Sequence, residues 1–368
     1  MNQNEKRMLE LDALKGIAIL GVVTIHVVGS SLFTLPYLSH GFNIALIVDQ
    51  LSRISVPIFV AASGYTLSLK YIDRNVDIGD FFRRRLFRIL PWYFFWAFVI
   101  YLFFKSTHWV TSLNSDPMWK LLVYGRMDYH LYFVPMIFQL YLLFPFILWL
   151  FKRFRLKFLA LLFILEAVFY YFLSQKAQGL FDPTAKISDQ QEYLFFGTWV
   201  FYFVLGITLR FLPSFSSKKA AFIKVLSLIF LYGGLFWMLT DSFSLIYKHF
   251  DVNVASRSTR IPVLLYTTGF VSAAVIWGDK VKLLSSKVVR IFAQIGRRSY
   301  ITYLCHSIVL RIYMDHISPY SIKNTLFLIL LTLITADAIA QVCEAALKFI
   351  QGRGASSGWL RRGRSSTT

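Results

Sequence analysis

Residues 12–33 read DALKGIAILGVVTIHVVGSSLF, and this apolar stretch near the start of the chain decides the fold class. About 20 apolar residues in a helix cross the hydrocarbon core of a bilayer. The stretch is too long for the apolar region of a signal peptide, and it has no small-residue cleavage site. It therefore predicts a transmembrane helix. Its ionisable side chains, Asp12, Lys15 and His26, are then candidates for function, because such groups are costly inside a membrane.

Hydrophobic residues dominate the rest of the chain as well. They make up 57% of the 368 residues, and only 16% are charged, whereas soluble domains average about 25% charged residues. This composition excludes a disordered chain, and the two cysteines are too few for a disulfide-stapled scaffold. We predict an all-α, polytopic integral membrane protein with about ten transmembrane helices. Their predicted bounds are 12–33, 44–70, 87–105, 130–151, 157–174, 194–212, 221–240, 261–277, 297–317 and 324–347.

The distribution of basic residues predicts how these helices are oriented. The net charge is +20, and 27 of the 39 Lys and Arg residues fall on one side when the predicted loops alternate. Cytoplasmic loops carry such an excess, which faces anionic lipids. Both termini are therefore predicted to be cytoplasmic, in a multi-pass protein of the cell membrane. The basic charge is explained by the lipid bilayer, and no nucleic-acid partner is expected.

The chain divides into one large unit and a short tail. Residues 1–350 are predicted to form a single transmembrane domain, and residues 351–368 a basic, disordered cytoplasmic tail rich in Gly, Ser and Arg. No internal repeat is evident in the sequence, which argues against the inverted-repeat transporter folds. We predict no metal site.

The polar residues of the first helix follow one face. Lys15 and His26 are about 20° apart around the helix and about 16 Å apart along its axis, with Asp12 on the same stripe. Lys15 alone could be a topogenic charge that snorkels to the interface. His26 alone could be a structural hydrogen-bonding group between helices. The second helix adds Asp49 and Arg53 at i, i+4, either as an intrahelical ion pair or with Arg53 holding a substrate oxygen or an anion.

An arginine cluster lies between the second and third predicted helices, where residues 83–91 read RRRLFRILP. Positive-inside charge would explain a mixed basic loop, but this segment has four arginines and no lysine. Guanidinium groups suit bidentate phosphate binding. Arg84, Arg85 and Arg88 therefore predict a seat for a phosphate-rich cytosolic ligand, and Pro91 is expected to break the helix just inside the membrane.

Two later segments carry further histidines. His130 opens the fourth predicted helix, and we expect it to be solvated at the outer interface. Residues 299–306 read SYITYLCH, which puts Ser299, Tyr303 and His306 on one face, with His306 near mid-membrane against another polar helix. Adjacent helical residues point about 100° apart, which disfavours a nucleophilic role for Cys305 beside that histidine. Polar residues expected to hydrogen-bond between helices are Glu166, Asp337, Gln341 and Glu344.

Three of these motifs, in order along nearly the whole chain, resemble the membrane-bound acyltransferase family 3. Residues 11–26 are similar to the family's basic-residue–ten–His opening, with Lys15 where arginine is more common. Residues 84–91 resemble its double-arginine motif, and residues 299–306 its late Ser-Tyr…Tyr-Leu-x-His run. The Lys-Gly opening, with residues 130–135 and 139–141, is similar to the branch that modifies secreted exopolysaccharides.

This resemblance implies an O-acyltransferase that moves an acetyl or succinyl group from cytosolic acyl-CoA to hydroxyls of an extracytoplasmic glycan, without a permanently bound cofactor. Polysaccharide synthase machinery is an expected partner. The expected roles are acyl-CoA binding by Lys15, Arg84, Arg85 and Arg88, general-base catalysis by His26, and contact with substrate or oxyanion by Asp12, Arg53, Tyr303 or His306.

Two other functions are compatible with many spans and buried charges. A polysaccharide transporter or flippase would need no acyl chemistry, but it would not explain an arginine cluster paired with a deep histidine. A membrane sensor or scaffold has no positive support in the sequence.

Overall fold

The computed structural model describes residues 3–73, 77–107, 116–178, 189–211, 217–248, 252–277 and 286–356. Over these residues the chain is helical and has no strand, which confirms the predicted all-α class. The α-helices are α1 (Gln3–Leu32), α2 (His40–Ser52), α3 (Ser55–Tyr71), α4 (Ile78–Ser106), α5 (Met118–Val123), α6 (Phe133–Phe154), α7 (Leu156–Ala177), α8 (Asp189–Leu194), α9 (Val200–Leu209), α10 (Ser217–Tyr247), α11 (Val252–Ala255), α12 (Ile261–Trp277), α13 (Ser286–Met314) and α14 (Ile322–Ser356). Most of the predicted tail lies outside the described residues, although α14 continues to Ser356.

Seven helical segments within the described residues are long and apolar enough to cross a membrane. They are Met8–Leu32, His40–Tyr71, Ile78–Ser106, Phe133–Phe154, Leu156–Ala177, Ala220–Tyr247 and Ile322–Phe349. Two shorter apolar helices, Val200–Leu209 and Ile261–Trp277, coincide with two further predicted spans. Helix α13 is long but carries several charged residues. A multi-pass membrane protein is thus confirmed, while the count of ten and the orientation of the termini remain predictions.

The predicted second span, 44–70, is two helices joined by a short turn. Helix α2 ends at Ser52 and α3 begins at Ser55, with Arg53 as the C-cap residue of α2. The Ser55 hydroxyl donates to the Ser52 carbonyl at 2.6 Å across the turn. Pro57 stands in the first turn of α3, where the missing N–H costs no helical bond. The turn places Arg53 between two helices.

The prediction that Pro91 breaks a helix is wrong. Helix α4 runs without interruption through it, because the missing N–H removes one hydrogen bond without ending the helix, as occurs in other membrane-spanning helices. The arginine cluster therefore occupies the first turns of α4. The Tyr300 hydroxyl donates to the Ile89 carbonyl at 2.9 Å, which fixes α4 against α13 beside the cluster.

Close packing of α1 against α13 determines the centre of the fold. A Cβ atom on Gly16 would lie 2.1 Å from the Phe292 carbonyl oxygen, and one on Gly296 would lie 1.8 Å from that of Asp12. Only glycine allows the two backbones to approach so closely. The crossing places the polar residues of both helices on facing sides.

Two of the four polar residues predicted to hydrogen-bond between helices, Glu166 and Asp337, do so, whereas Gln341 bonds to Asp337 on its own helix. Arg298 donates two hydrogen bonds to Asp337, at 3.0 and 2.8 Å, and so links α13 to α14. The Glu166 carboxylate accepts the Phe201 backbone N–H at 3.1 Å, and so joins α7 to the start of α9. These contacts link α13 to α14 and α7 to α9.

Candidate active site

A cavity of about 210 Å³, here called the arginine-lined pocket, opens between α1, α3, α4, α6 and α13. Four cationic side chains line it: Lys15, Arg85, Arg88 and Arg297. The remaining wall is largely apolar and aromatic, and includes Phe133, Tyr141, Tyr300 and Tyr303. A cavity with cations and a long apolar wall suits a ligand that has an anionic head and an uncharged arm.

The three arginines predicted to act together have different surroundings. Arg84 is exposed and forms an ion pair with Asp80 on its own helix. Arg85 turns inward, with its guanidinium carbon 5.5 Å from the centre of the Tyr141 ring, and its Nε is buried without a hydrogen-bond partner among the described residues. Arg88 is exposed at the edge of the pocket. The structure therefore brings Arg85 and Arg88 to the cavity and leaves Arg84 outside its lining.

Asp12, Lys15 and Arg297 form a charged group at the same pocket. Lys15 Nζ donates to Asp12 Oδ1 at 3.1 Å, and Arg297 Nη1 lies 3.9 Å from Asp12 Oδ2. Arg297 is not among the candidate residues predicted from the sequence, because its position beside Gly296 becomes informative only once α1 and α13 are seen to cross there.

Three histidines from distant parts of the chain meet beyond the pocket. The ring of His26 stacks on that of His306, with centroids 5.4 Å apart, and the His130 ring lies 4.8 Å from His306. The Tyr129 ring also contacts His26, with centroids 4.4 Å apart. We call His26, His130 and His306 the histidine cluster. His306 therefore packs against polar residues as predicted, and those residues include the candidate base.

The expectation of a solvated His130 is wrong. Its side chain is 1% exposed, and its Nδ1 lies 3.5 Å from Asp128 Oδ2. Asp128 also accepts two hydrogen bonds from Arg311, at 2.7 and 2.8 Å. Burial alone would raise the pKa of the Asp128 carboxyl, but the neighbouring His130 ring and the two hydrogen bonds from Arg311 outweigh this effect and hold the pKa well below its usual range. Asp128 is therefore ionised, and it fixes the segment that carries His130.

The surroundings of His306 determine which of its ring nitrogens is available. Its Nδ1 lies 2.6 Å from the Tyr303 carbonyl oxygen. Because a carbonyl only accepts, Nδ1 is the donor, and the neutral ring then carries its lone pair on Nε2. This Nε2 is buried without a hydrogen-bond partner among the described residues. His306 thus has a buried ring nitrogen without a partner among the described residues, as His130 does, whereas His26 is partly exposed.

Tyr303 connects the arginine-lined pocket to the histidine cluster. It lines the pocket, its hydroxyl donates to the His130 backbone carbonyl, and its ring lies 5.8 Å from that of His306. The Phe133 ring packs against the Tyr303 ring, with centroids 5.5 Å apart, and Phe133 also lines the pocket. A ligand that fills the pocket would reach the cluster at this aromatic wall.

Arg53 forms the predicted intrahelical ion pair with Asp49. Asp49 accepts from the Gln50 amide at 3.0 Å, and the Gln50 carbonyl accepts from Arg260. Two guanidinium N–H groups of Arg53 bind Asp49, which leaves others for a ligand. The two readings of Arg53 are therefore compatible.

The Cys305 side chain faces α14 rather than the histidine cluster. The Cys305 thiol is buried and directed toward the carbonyls of Thr302 and Ala336. Within the described ranges, no group of three or more His, Cys, Asp or Glu side chains is arranged to hold a metal ion.

Comparison with known proteins places the chain in a family. The sequence model of acyltransferase family 3, described as an acyltransferase domain, matches residues 8–340, and the chain belongs to this family. Similar curated proteins include the O-acetyltransferase OatA of Staphylococcus aureus strains NCTC 8325 / PS 47, COL and MRSA252. Each is 25% identical over 337 residues, which cover 80% of this chain and 49% of the relative. The chain thus spans about half the length of these relatives. No solved structure matches it.

Proposed function

We propose that this member of acyltransferase family 3 is a membrane O-acyltransferase that moves an acetyl or succinyl group from cytosolic acyl-CoA to a hydroxyl of an extracytoplasmic glycan. The observation that carries the proposal is the continuity of two regions. A pocket with four cations ends at Tyr303, and Tyr303 contacts the histidine cluster. The similarity to O-acetyltransferases favours acetyl as the group transferred.

Donor binding follows from the lining of the pocket. Arg85, Arg88, Lys15 and Arg297 would hold the nucleotide phosphates, because guanidinium groups bind phosphate oxygens in pairs. The apolar wall would hold the uncharged arm of the donor. His26 lies about 16 Å beyond Lys15 along α1, so the thioester would approach the histidine cluster rather than the cations.

The histidine cluster supplies the base for the reaction. His26 takes the proton from the acceptor hydroxyl while the hydroxyl oxygen attacks the thioester carbonyl carbon. The tetrahedral intermediate then expels the CoA sulfur, which takes up the proton from the imidazolium. The remaining N–H groups of Arg53 are the proposed donors to the oxyanion. His306, stacked on His26, holds the ring in place.

The test uses purified protein reconstituted in liposomes with acetyl-CoA or succinyl-CoA labelled in the acyl group. The donor is supplied on one face and cell-envelope glycan on the other. Labelled ester in the glycan, dependent on the protein and on the donor's side, is the expected result. Glycan movement without ester formation would instead establish a transporter.

A further inference from the structure

A second cavity, of about 200 Å³, lies between the C-terminal ends of α7 and α10 and the segment that leads into α12. We call it the lateral cavity. Its polar lining includes Gln175, Gln178, Asp241, Arg257 and Arg260. By the predicted alternation of the helices, these ends face the outer side, opposite the arginine-lined pocket. The donor pocket and the histidine mechanism leave this cavity without a role.

The charges of the lateral cavity are already neutralised. Arg260 is 3% exposed and donates to Asp241 at 2.6 Å and to Ser242 at 2.9 Å. Arg257 forms an ion pair with Glu192. An anionic ligand would have to break these buried pairs, which is costly. The cavity therefore suits a polar ligand without charge.

Two aromatic rings complete the lining. Trp237 is 45% exposed and Tyr171 is 51% exposed, and both border the cavity. A pyranose ring has apolar C–H faces that stack on aromatic rings and hydroxyls that bond to amides and carboxylates. The rings of Trp237 and Tyr171 match the C–H faces of the sugar. The side chains of Gln175, Gln178 and Asp241 match its hydroxyls.

A chain of hydrogen bonds connects this cavity to the candidate active site. Arg260 donates to the Gln50 side chain, and Gln50 in turn donates to Asp49, the ion-pair partner of Arg53. A ligand that bonds to Asp241 would therefore be linked through Arg260, Gln50 and Asp49 to Arg53, the proposed oxyanion donor.

We propose that the lateral cavity binds an uncharged saccharide unit of the acceptor, with its ring on Trp237 and its hydroxyls on Gln175 and Asp241. This inference rests on the proposed glycan acceptor. The cavity is bordered by faces of α7 and α10 whose large apolar side chains, such as Val168 and Phe236, are exposed. A saccharide could therefore arrive on a lipid carrier or free from the outer water, and the experiment separates these two sources.

The experiment measures binding to full-length protein in lipid nanodiscs. The probes are cellotetraose and chitotetraose, each free and each linked to a C16 alkyl chain, with tetragalacturonate as a charged comparison. Trp237→Ala and Gln175→Met are expected to weaken binding of a neutral tetrasaccharide by about tenfold or more, as truncation of a central contact does. Trp237→Phe keeps a ring and should restore most of the affinity. Tighter binding of the alkyl-linked probe would identify a lipid carrier, and equal binding a free saccharide.

The matched control is Phe236→Ala, which removes an exposed ring one position away from the cavity lining. It should bind saccharide as the wild type does, and all variants should retain their affinity for acetyl-CoA, which verifies folding. Unchanged saccharide binding in both cavity variants would overturn the inference, as would preference for tetragalacturonate. Absence of labelled ester in the liposome assay would instead reject the proposed function, while the binding result would stand by itself.

Discussion

His26 on α1 stacks on His306 on α13, with ring centroids 5.4 Å apart and planes inclined by 26°. The two residues are far apart in sequence, and the glycine crossing of α1 and α13 brings their helices together. The contact places His26, the proposed base, and His306, whose Nε2 has no partner among the described residues, in one site. Their separate roles can therefore be distinguished by experiment.

Replacing His26 with Gln is expected to lower acyl transfer by about 10²–10⁴-fold, because Gln hydrogen-bonds but does not accept a proton near neutral pH. His306→Gln should lose less, about 10–100-fold, through displacement of the His26 ring. The measurement is ester formation under single turnover, together with acetyl-CoA affinity, which both variants should retain. Wild-type transfer by His26→Gln and none by His306→Gln would assign the base to His306.

The buried Arg311–Asp128 pair is expected to be necessary for stability. Asp128→Ala removes the carboxylate that accepts two hydrogen bonds from the buried guanidinium of Arg311, and breaking such a pair costs about 3–5 kcal/mol. The double variant Asp128→Asn, Arg311→Met removes both charges and should recover much of that loss. Thermal unfolding in detergent measures the effect.

The control for this pair is the exposed one between Asp80 and Arg84. Asp80→Asn should leave the melting temperature nearly unchanged, because an exposed ion pair is screened by water and contributes little to stability. Equal destabilisation by Asp128→Ala and by the double variant would show that the buried pair does not depend on charge balance.

Local sequence patterns predicted most of the helices and some of the residues of the pocket. The 3.6-residue period put Lys15 and His26 on one face, and the arginine motif identified Arg85 and Arg88. The period could not show that His130 is buried, since that depends on Asp128 and Arg311, which are 183 positions apart. Nor could it separate Arg84 from Arg85, because of these two residues only Arg84 forms an ion pair with Asp80.

The break between α2 and α3 illustrates a second limit. A mostly apolar run predicts one long helix, and the hydroxyl of Ser55 that bonds across the turn looks the same in sequence as any small polar residue. Three motifs, at residues 11–26, 84–91 and 299–306, predict the family because they combine rare residue types in a fixed order. Packing contacts between distant helices have no such local signature.

Gly16 is expected to tolerate no side chain. In Gly16→Ala the new Cβ would meet the Phe292 backbone carbonyl, and overpacking of this kind costs about 1–3 kcal/mol. Because Lys15 and Arg297 flank the crossing, acetyl-CoA affinity should fall together with the melting temperature. Gly29→Ala on the same helix meets nothing within 4 Å, and it should be neutral or slightly stabilising. Equal stability of the two variants would contradict a close crossing.

Reporter fusions test the predicted topology. Fusions after Lys70, Arg155, Lys218 and Lys287 should report the cytoplasm, and fusions near His40, Asp116, Asp182 and Asp251 the outside. The reason is the excess of basic residues in alternate loops. A reversed result at two adjacent loops would contradict the ten-span arrangement and place the arginine-lined pocket on the wrong side for cytosolic acyl-CoA.

Arg85→Gln is expected to weaken acetyl-CoA binding by about 10–100-fold, the equivalent of one lost charge-assisted hydrogen bond. The residue lines the pocket and its Nε has no partner among the described residues, so the phosphate is the proposed partner. Arg84→Gln is the matched control, one position along the same motif. It removes an exposed, already paired guanidinium and should change donor affinity by less than about threefold. Salt should weaken donor binding by the wild type more than by Arg85→Gln, because the variant has lost one of the screened contacts. Equal losses in the two variants would mean that the cluster acts through its total charge, and unchanged affinity in both would mean that the arginines serve only the orientation of the helices.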